Sequence, residues 1–370
     1  MINQMINQEF WRGKKVLITG HTGFKGSWLS IWLCELGAEV IGYGLDPYTE
    51  KDNFVLSNVG ARIIDIRGDI RDRAALQEVF NQYQPEIVFH MAAQPLVRLS
   101  YEEPYVTYET NVMGTLNVLE CVRAAHSTRV GIMITTDKCY ENKEQIWGYR
   151  ESDPFGGYDP YSASKACAEI LIASYRNSFL NLEQYQTHGT AIASVRAGNV
   201  IGGGDWSKDR IIPDCIRALE AKEPIKIRNP KSIRPWQHVL EPLYGYLMLG
   251  EKLYENPLEY SGGWNFGPED KSFITVWNMA EKIIKYYGTG SLVETVSAQA
   301  PHEANLLFLD ITKAKQKLGW YPRLSVEKAI QLTVQWYLQY STKDTYSICQ
   351  QQIQDFLSNL SKVSSQITDK

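Results

Sequence analysis

Lys15-Val16-Leu17-Ile18-Thr19-Gly20-His21-Thr22-Gly23-Phe24-Lys25-Gly26 is the stretch on which the fold turns. A short apolar run closes at Gly20, and Trp28, Leu29, Trp32, Leu33 and Leu36 follow at helical spacing until Gly37. That pattern predicts strand, turn and helix in that order. Gly20, Gly23 and Gly26 sit in the turn at GxxGxxG spacing, with Thr22 and Phe24 between them. Glycines there permit a tight turn and a close approach of backbone N–H groups to anionic oxygens, so the turn is a candidate pyrophosphate site.

Working outward, further apolar runs occur at 39–43, 63–66, 87–91, 130–134 and 191–195, most of them separated by helix-like segments. Strands alternating with helices, and apolar on both faces, predict an α/β protein built on a Rossmann-type doubly wound parallel sheet. Past residue 200, glycine and proline become frequent and the alternation stops. The expected organisation is a dinucleotide-binding domain over 1–200, to which part of 235–265 returns, and a smaller C-terminal α/β substrate lobe over 201–340. The tail over 341–370, with only Ile353, Phe356, Leu357 and Leu360 at helical spacing, is expected to form a peripheral helix with a frayed end.

The chain has 370 residues, 44% hydrophobic and 22% charged, which suits a folded soluble protein and excludes wholesale disorder. A net charge of -4 leaves no global basic field, so no nucleic-acid partner is expected. No run reaches the roughly 18 apolar residues of a membrane span, and residues 1–10 are too polar for a signal peptide, so the expected location is cytoplasmic. The six cysteines and six histidines are scattered without CxxC, HxH or HExxH spacing, which predicts neither disulfides nor a metal site.

An acidic residue near the end of the second strand of such a fold binds ribose hydroxyls, and Asp46 lies about twenty residues beyond Gly26. Asp46 also begins an Asp-Pro turn, and Gly44 stands where the acidic residue more often falls, so both readings are open. No Arg or Lys between the glycine turn and Lys51 offers itself to a 2'-phosphate, which favours NAD over NADP. Farther on, Tyr161 and Lys165 are four apart, on one helical face. An ammonium there lowers a phenol's pKa and can hold a ribose hydroxyl, making Tyr161 a candidate base near neutral pH.

The glycine turn, Asp69-Ile70, Ala92-Ala93, Asn111, Thr136-Asp137 and the Tyr161/Lys165 pair together resemble the extended short-chain dehydrogenase/reductase family, over residues 14–340. Leu318-Gly319-Trp320-Tyr321-Pro322 is typical of its nucleotide-sugar enzymes. Within the family, segments 135–142, 202–206 and 234–239 resemble the nucleotide-sugar 4,6-dehydratases. The resemblance implies NAD as cofactor, held by the glycine turn, Asp69, Ile70, Ala92, Ala93, Asn111, Tyr161 and Lys165. It implies CDP-D-glucose as substrate and CDP-4-keto-6-deoxy-D-glucose as product, a precursor of dideoxyhexoses in bacterial surface polysaccharides.

In the reaction so implied, Tyr161 takes the proton of the sugar 4-hydroxyl, with Thr136 bonded to the same oxygen. Asp137 is the acid that protonates the departing C6 hydroxyl. Lys138 stands where the dTDP-glucose enzymes carry a glutamate as C5 base; it is either that base or the ion-pair partner of Asp137 or Glu141. Asn199 and Arg234 match positions that contact the substrate diphosphate, and Arg210 and His302 are further substrate candidates, each equally readable as a structural polar contact. A homodimer or homotetramer built on the helix over 106–124 and the Lys165 helix is implied as well. Two rival functions are a 4-epimerase, which needs no Asp137-Lys138 pair, and an NAD-binding sensor without catalysis.

Overall fold

The computed structural model describes residues 6–269, 273–295 and 306–368, with side chains as far as 358. Strands β1 (Lys15–Thr19), β2 (Glu39–Gly44), β3 (Ile64–Arg67), β4 (Ile87–His90), β5 (Val130–Ile134) and β6 (Ala191–Arg196) fall on the six apolar runs of the sequence. After these come β7 (Val200–Ile201), β8 (Ile225–Ile227), β9 (Ile233–Pro235), β10 (Gln237–His238), β11 (Gly262–Asn265), β12 (Phe273–Thr275) and β13 (Leu292–Glu294). The central sheet has seven strands in the order β11-β6-β5-β4-β1-β2-β3. All its pairings are parallel.

Successive side chains along a strand point to opposite faces, and each face has its own core. Val16, Ile18, Ile87, Phe89, Val130 and Ile132 pack on one side with Trp28, Trp32 and Leu247 of helices Phe24–Glu35 and Leu240–Glu255. Leu17, Ile41, Val88 and Met133 pack on the other with Phe80, Val118 and Ile172 of helices Arg73–Tyr83, Thr115–Ala124 and Pro160–Ser178. Burial on both faces is what the near-continuous apolar strands require.

The smaller lobe is made of short pairings: β8 with β13, β9 antiparallel to β12, and β7 with β10. β11 leaves that part of the chain to pair with β6. The tail forms the expected helix, Thr345–Thr368, whose Cys349, Ile353 and Phe356 are buried, Phe356 lying edge-on to Trp32. Few apolar residues suffice because only one stripe of this helix meets the core. Among the described residues, no helix is long and apolar enough to cross a membrane.

Candidate active site

The strand order reverses between β1 and β4, and in an open parallel sheet the crevice opens at the carboxyl ends of the strands at such a point. There the structure has a cleft of about 2260 Å³. The glycine turn forms one wall. Gly20 has φ +74°, and a Cβ on it would lie 2.7 Å from the backbone N of Ala92. A Cβ on Gly26 would lie 2.1 Å from the Gly20 carbonyl oxygen. Both glycines are therefore obligatory, and they leave the start of the helix Phe24–Glu35 open to the cleft. The surface fits a dinucleotide diphosphate on this geometry.

Thr22, Phe24, Asp46, Asp69, Ile70, Ala92 and Ala93 line the same cleft. Asn111 does not. Its side chain is fully buried, accepts from the Gln94 N–H at 2.8 Å and donates to Gln94 O and Ser164 Oγ. The expected cofactor ligand is thus a brace between the loop that follows β4 and the helix of Tyr161. The helical run around it contains a π-helical stretch, Glu109–Gly114, of the kind that often marks functional regions. Just beyond β2, Asp46 is exposed and lies 3.6 Å from Arg67 Nε. The sequence reading found no cation here because Arg67 arrives from β3, where it is paired in register with Gly44. His21, also missed, is buried under the turn and bonds Asp65 at 2.8 Å.

The catalytic candidates meet on the opposite wall. Thr136 Oγ1 donates to Asp137 Oδ1 at 2.9 Å and is also hydrogen-bonded to the Tyr161 phenol. Asp137 is 2% exposed, and a Cβ on Gly198 would lie 1.8 Å from its Oδ2, so only glycine leaves room for this carboxyl group. Burial pushes the Asp137 pKa up, against the opposing pull of Lys138, Thr136 and Arg234. Lys165 donates to Ile134 O at 3.5 Å, and burial brings it down to about 8. Tyr161 is not the near-neutral phenol expected. Burial pushes it up to about 12, because desolvation outweighs the help of Thr136 and Arg210.

Lys138 is exposed on the cleft wall and makes no ion pair among the described residues; Glu141 pairs with Lys143 at 3.0 Å instead. Asn199, at φ +51°, and Arg234 line the cleft toward the smaller lobe. Arg210 lines it too while holding Asp205 at 2.8 Å, so it is both an ion-pair member and a cleft residue. His302 lies outside the described residues. Lys25 was passed over in the sequence. It lines the cleft, and burial followed by the charges of Lys165 and Arg210 brings it down to about 7.

The sequence model of the GDP-mannose 4,6 dehydratase family matches residues 17–333. The chain is 50% identical over 355 residues to the CDP-glucose 4,6-dehydratase of Salmonella typhimurium, covering 96% of this chain and 99% of that one. The UDP-glucose 4-epimerase of Thermotoga maritima, solved with UDP-glucose, has a similar fold, with a TM-score of 0.73 at 23% identity over 88% of this chain and 98% of its own. So does the dTDP-glucose 4,6-dehydratase of Streptomyces venezuelae, solved with NAD bound, with a TM-score of 0.73 at 23% identity over 88% and 97%. A family match spanning both lobes, on a cleft that brings the glycine turn to Tyr161 and Lys165, means that the chain belongs to the GDP-mannose 4,6 dehydratase family of extended short-chain dehydrogenases/reductases.

Proposed function

We propose that the protein converts CDP-D-glucose to CDP-4-keto-6-deoxy-D-glucose and water, with NAD as a cofactor that ends each turnover as it began. The observation that carries the elimination is the buried Asp137 carboxyl beside Thr136 and Tyr161, an acid whose burial favours the neutral, proton-donating form. The cytidine base is supported by 50% identity, over nearly the whole chain, to a CDP-glucose 4,6-dehydratase.

Bound NAD supplies a hydride acceptor for C4 and, once reduced, a hydride donor for C6. The glycine turn, Asp46, Asp69, Ile70, Ala92, Ala93 and Lys165 are the residues that would hold it. Tyr161 takes the 4-hydroxyl proton, and Thr136 orients that oxygen. The 4-ketone then acidifies C5–H, Asp137 protonates the C6 hydroxyl, and water leaves. Lys138, exposed in the cleft, is the candidate for the C5 proton, a role that requires its neutral amine, which becomes the ammonium as C5–H breaks. Asn199, Arg210 and Arg234 supply donors to the substrate diphosphate.

A homodimer suits the surface: Ile170 is exposed on the Tyr161 helix, and Tyr101, Tyr105, Tyr108 and Met113 are exposed on the helical segments that flank it. Work in the cytoplasm, toward lipopolysaccharide sugars, completes the proposal. Offering the purified protein CDP-, dTDP-, GDP- and UDP-hexoses and measuring the alkali-induced absorbance of 4-keto-6-deoxy sugars tests it. CDP-D-glucose should react at least tenfold faster than the others; equal or faster reaction with another nucleotide would refute the cytidine assignment.

A further inference from the structure

Three successive turns of the helix Pro160–Ser178 grip three consecutive residues at the end of β5. Tyr161 bonds Thr136, Lys165 donates to Ile134 O at 3.5 Å, and Glu169 accepts from Thr135 Oγ1 at 2.5 Å. Spacing of four keeps all three side chains on one helical face. Glu169 does more than meet Thr135. Its Oε1 also accepts from Arg196 Nε at 2.8 Å, and its Oε2 accepts from Arg196 Nη2 at 2.8 Å and Ser194 Oγ at 2.7 Å. Arg196 in turn donates to the Tyr140 hydroxyl.

The relative exposures are 2% for Glu169, 5% for Thr135, 1% for Ser194 and 3% for Arg196. A charged group so buried is costly unless every lone pair is used, and here both carboxylate oxygens are bonded twice. The members come from a helix, the end of β5 and the end of β6. The β5 end continues into Thr136 and Asp137, and the β6 end continues into Gly198, on which the Asp137 carboxyl rests. One carboxylate thereby joins the base-bearing helix to both segments that place the acid.

We propose that Glu169 is a positioning residue of this active site, fixing the register between the helix that carries Tyr161 and the strand end that carries Thr136 and Asp137. It rests on the dehydratase reading only for the reaction used to test it. Burial lowers Lys165, and the Glu169 carboxylate one turn away opposes that effect. The other groups facing Lys165 are Cys139 after β5, His90 at the end of β4 and Lys25 on the first crossover helix, besides Tyr161 on its own helix. None of these changes when Glu169 is replaced.

The test compares Thr135→Val, Thr135→Ser and Glu169→Gln with the parent by kcat and KM on CDP-D-glucose, thermal unfolding, and the pH dependence of NADH binding read from protein fluorescence. Thr135→Val removes one hydrogen bond without stranding a charge. It should lower kcat about 10-fold, since small misplacements of reacting groups are expensive, with KM and the unfolding temperature near parent values. Thr135→Ser should restore kcat. In Glu169→Gln the alkaline limb of NADH binding should move down by about one pH unit, as loss of a nearby opposite charge lowers an ammonium pKa. Should Glu169→Gln fail to fold because Arg196 is left unneutralised, the Thr135 pair decides alone. Parent-like kcat in Thr135→Val, or loss of thermal stability alone, overturns the proposal. Failure of the parent to turn over CDP-D-glucose would instead refute the proposed function, and the NADH-binding limb would still decide the role of Glu169.

Discussion

Tyr161 is pushed up to about 12 by burial, so in the protein alone it holds its proton at neutral pH. On the proposed function, the positive charge of bound oxidised nicotinamide would favour the phenolate and so let Tyr161 act as the base. Tyr161→Phe removes only the acceptor; turnover should fall roughly 10²- to 10⁴-fold while NAD binding, measured by titration, stays near normal. Asp137 acts in the opposite sense. Burial raises its pKa and so favours the proton-donating form, and as pH climbs through that pKa the donor is lost, so elimination should slow on the alkaline side. Asp137→Asn, mixed with CDP-D-glucose, should accumulate reduced nicotinamide absorbance; product release at the parent rate would remove Asp137 from the mechanism. The Tyr161/Lys165 pair was legible because four residues make one helical turn. Arg67 beside Asp46 and Glu169 beside Arg196 were not, since parallel pairing and helix docking join residues that sequence separation keeps apart.

Among the elements, β1, β2, β4, β5 and β6 were readable from apolar runs because they are buried on both faces, and the edge strand β3 from Ile64 and Ile66 on its inner face. β11 was hidden: Gly262-Gly263-Trp264-Asn265 has no strand pattern of its own and is set by pairing with β6. The C-terminal helix was legible from its apolar spacing, but not its partners: Phe356 lies edge-on to Trp32 and Tyr244, far away in sequence. At the glycine turn, Gly26→Ala would drive a Cβ to 2.1 Å from Gly20 O. Strain of overpacking size should weaken NAD binding roughly 10- to 100-fold by titration, with the sheet intact by circular dichroism. The N-terminal helix Gln8–Trp11 is held by Glu251, which accepts from Trp11 Nε1 at 2.6 Å and Asn7 N at 2.9 Å. Burial raises Glu251 from 4.5 to about 7. A raised folded pKa gives stability that is complete below the unfolded value and lost as pH rises through the folded one. Glu251→Gln should therefore melt several degrees higher than the parent at pH 8 and close to it at pH 4; an unchanged difference across that range would contradict the assignment.

For the molecule as a whole, the sheet and the smaller lobe serve one cleft, whose walls carry the glycine turn at one end and Asn199, Arg210 and Arg234 at the other. On the proposed function, that layout would hold a dinucleotide and a sugar nucleotide together, with the sugar beside Tyr161, Thr136 and Asp137. A 4-epimerase shares the layout and returns the hydrogen of C4 to C4; elimination sends it to C6. CDP-D-glucose deuterated at C4 therefore tests the central claim most directly. After turnover in ordinary water, the product should be the 4-keto-6-deoxy sugar with the deuterium at C6, read by NMR and mass spectrometry. Deuterium recovered at C4 of an epimerised sugar, or lost to solvent, would contradict the account.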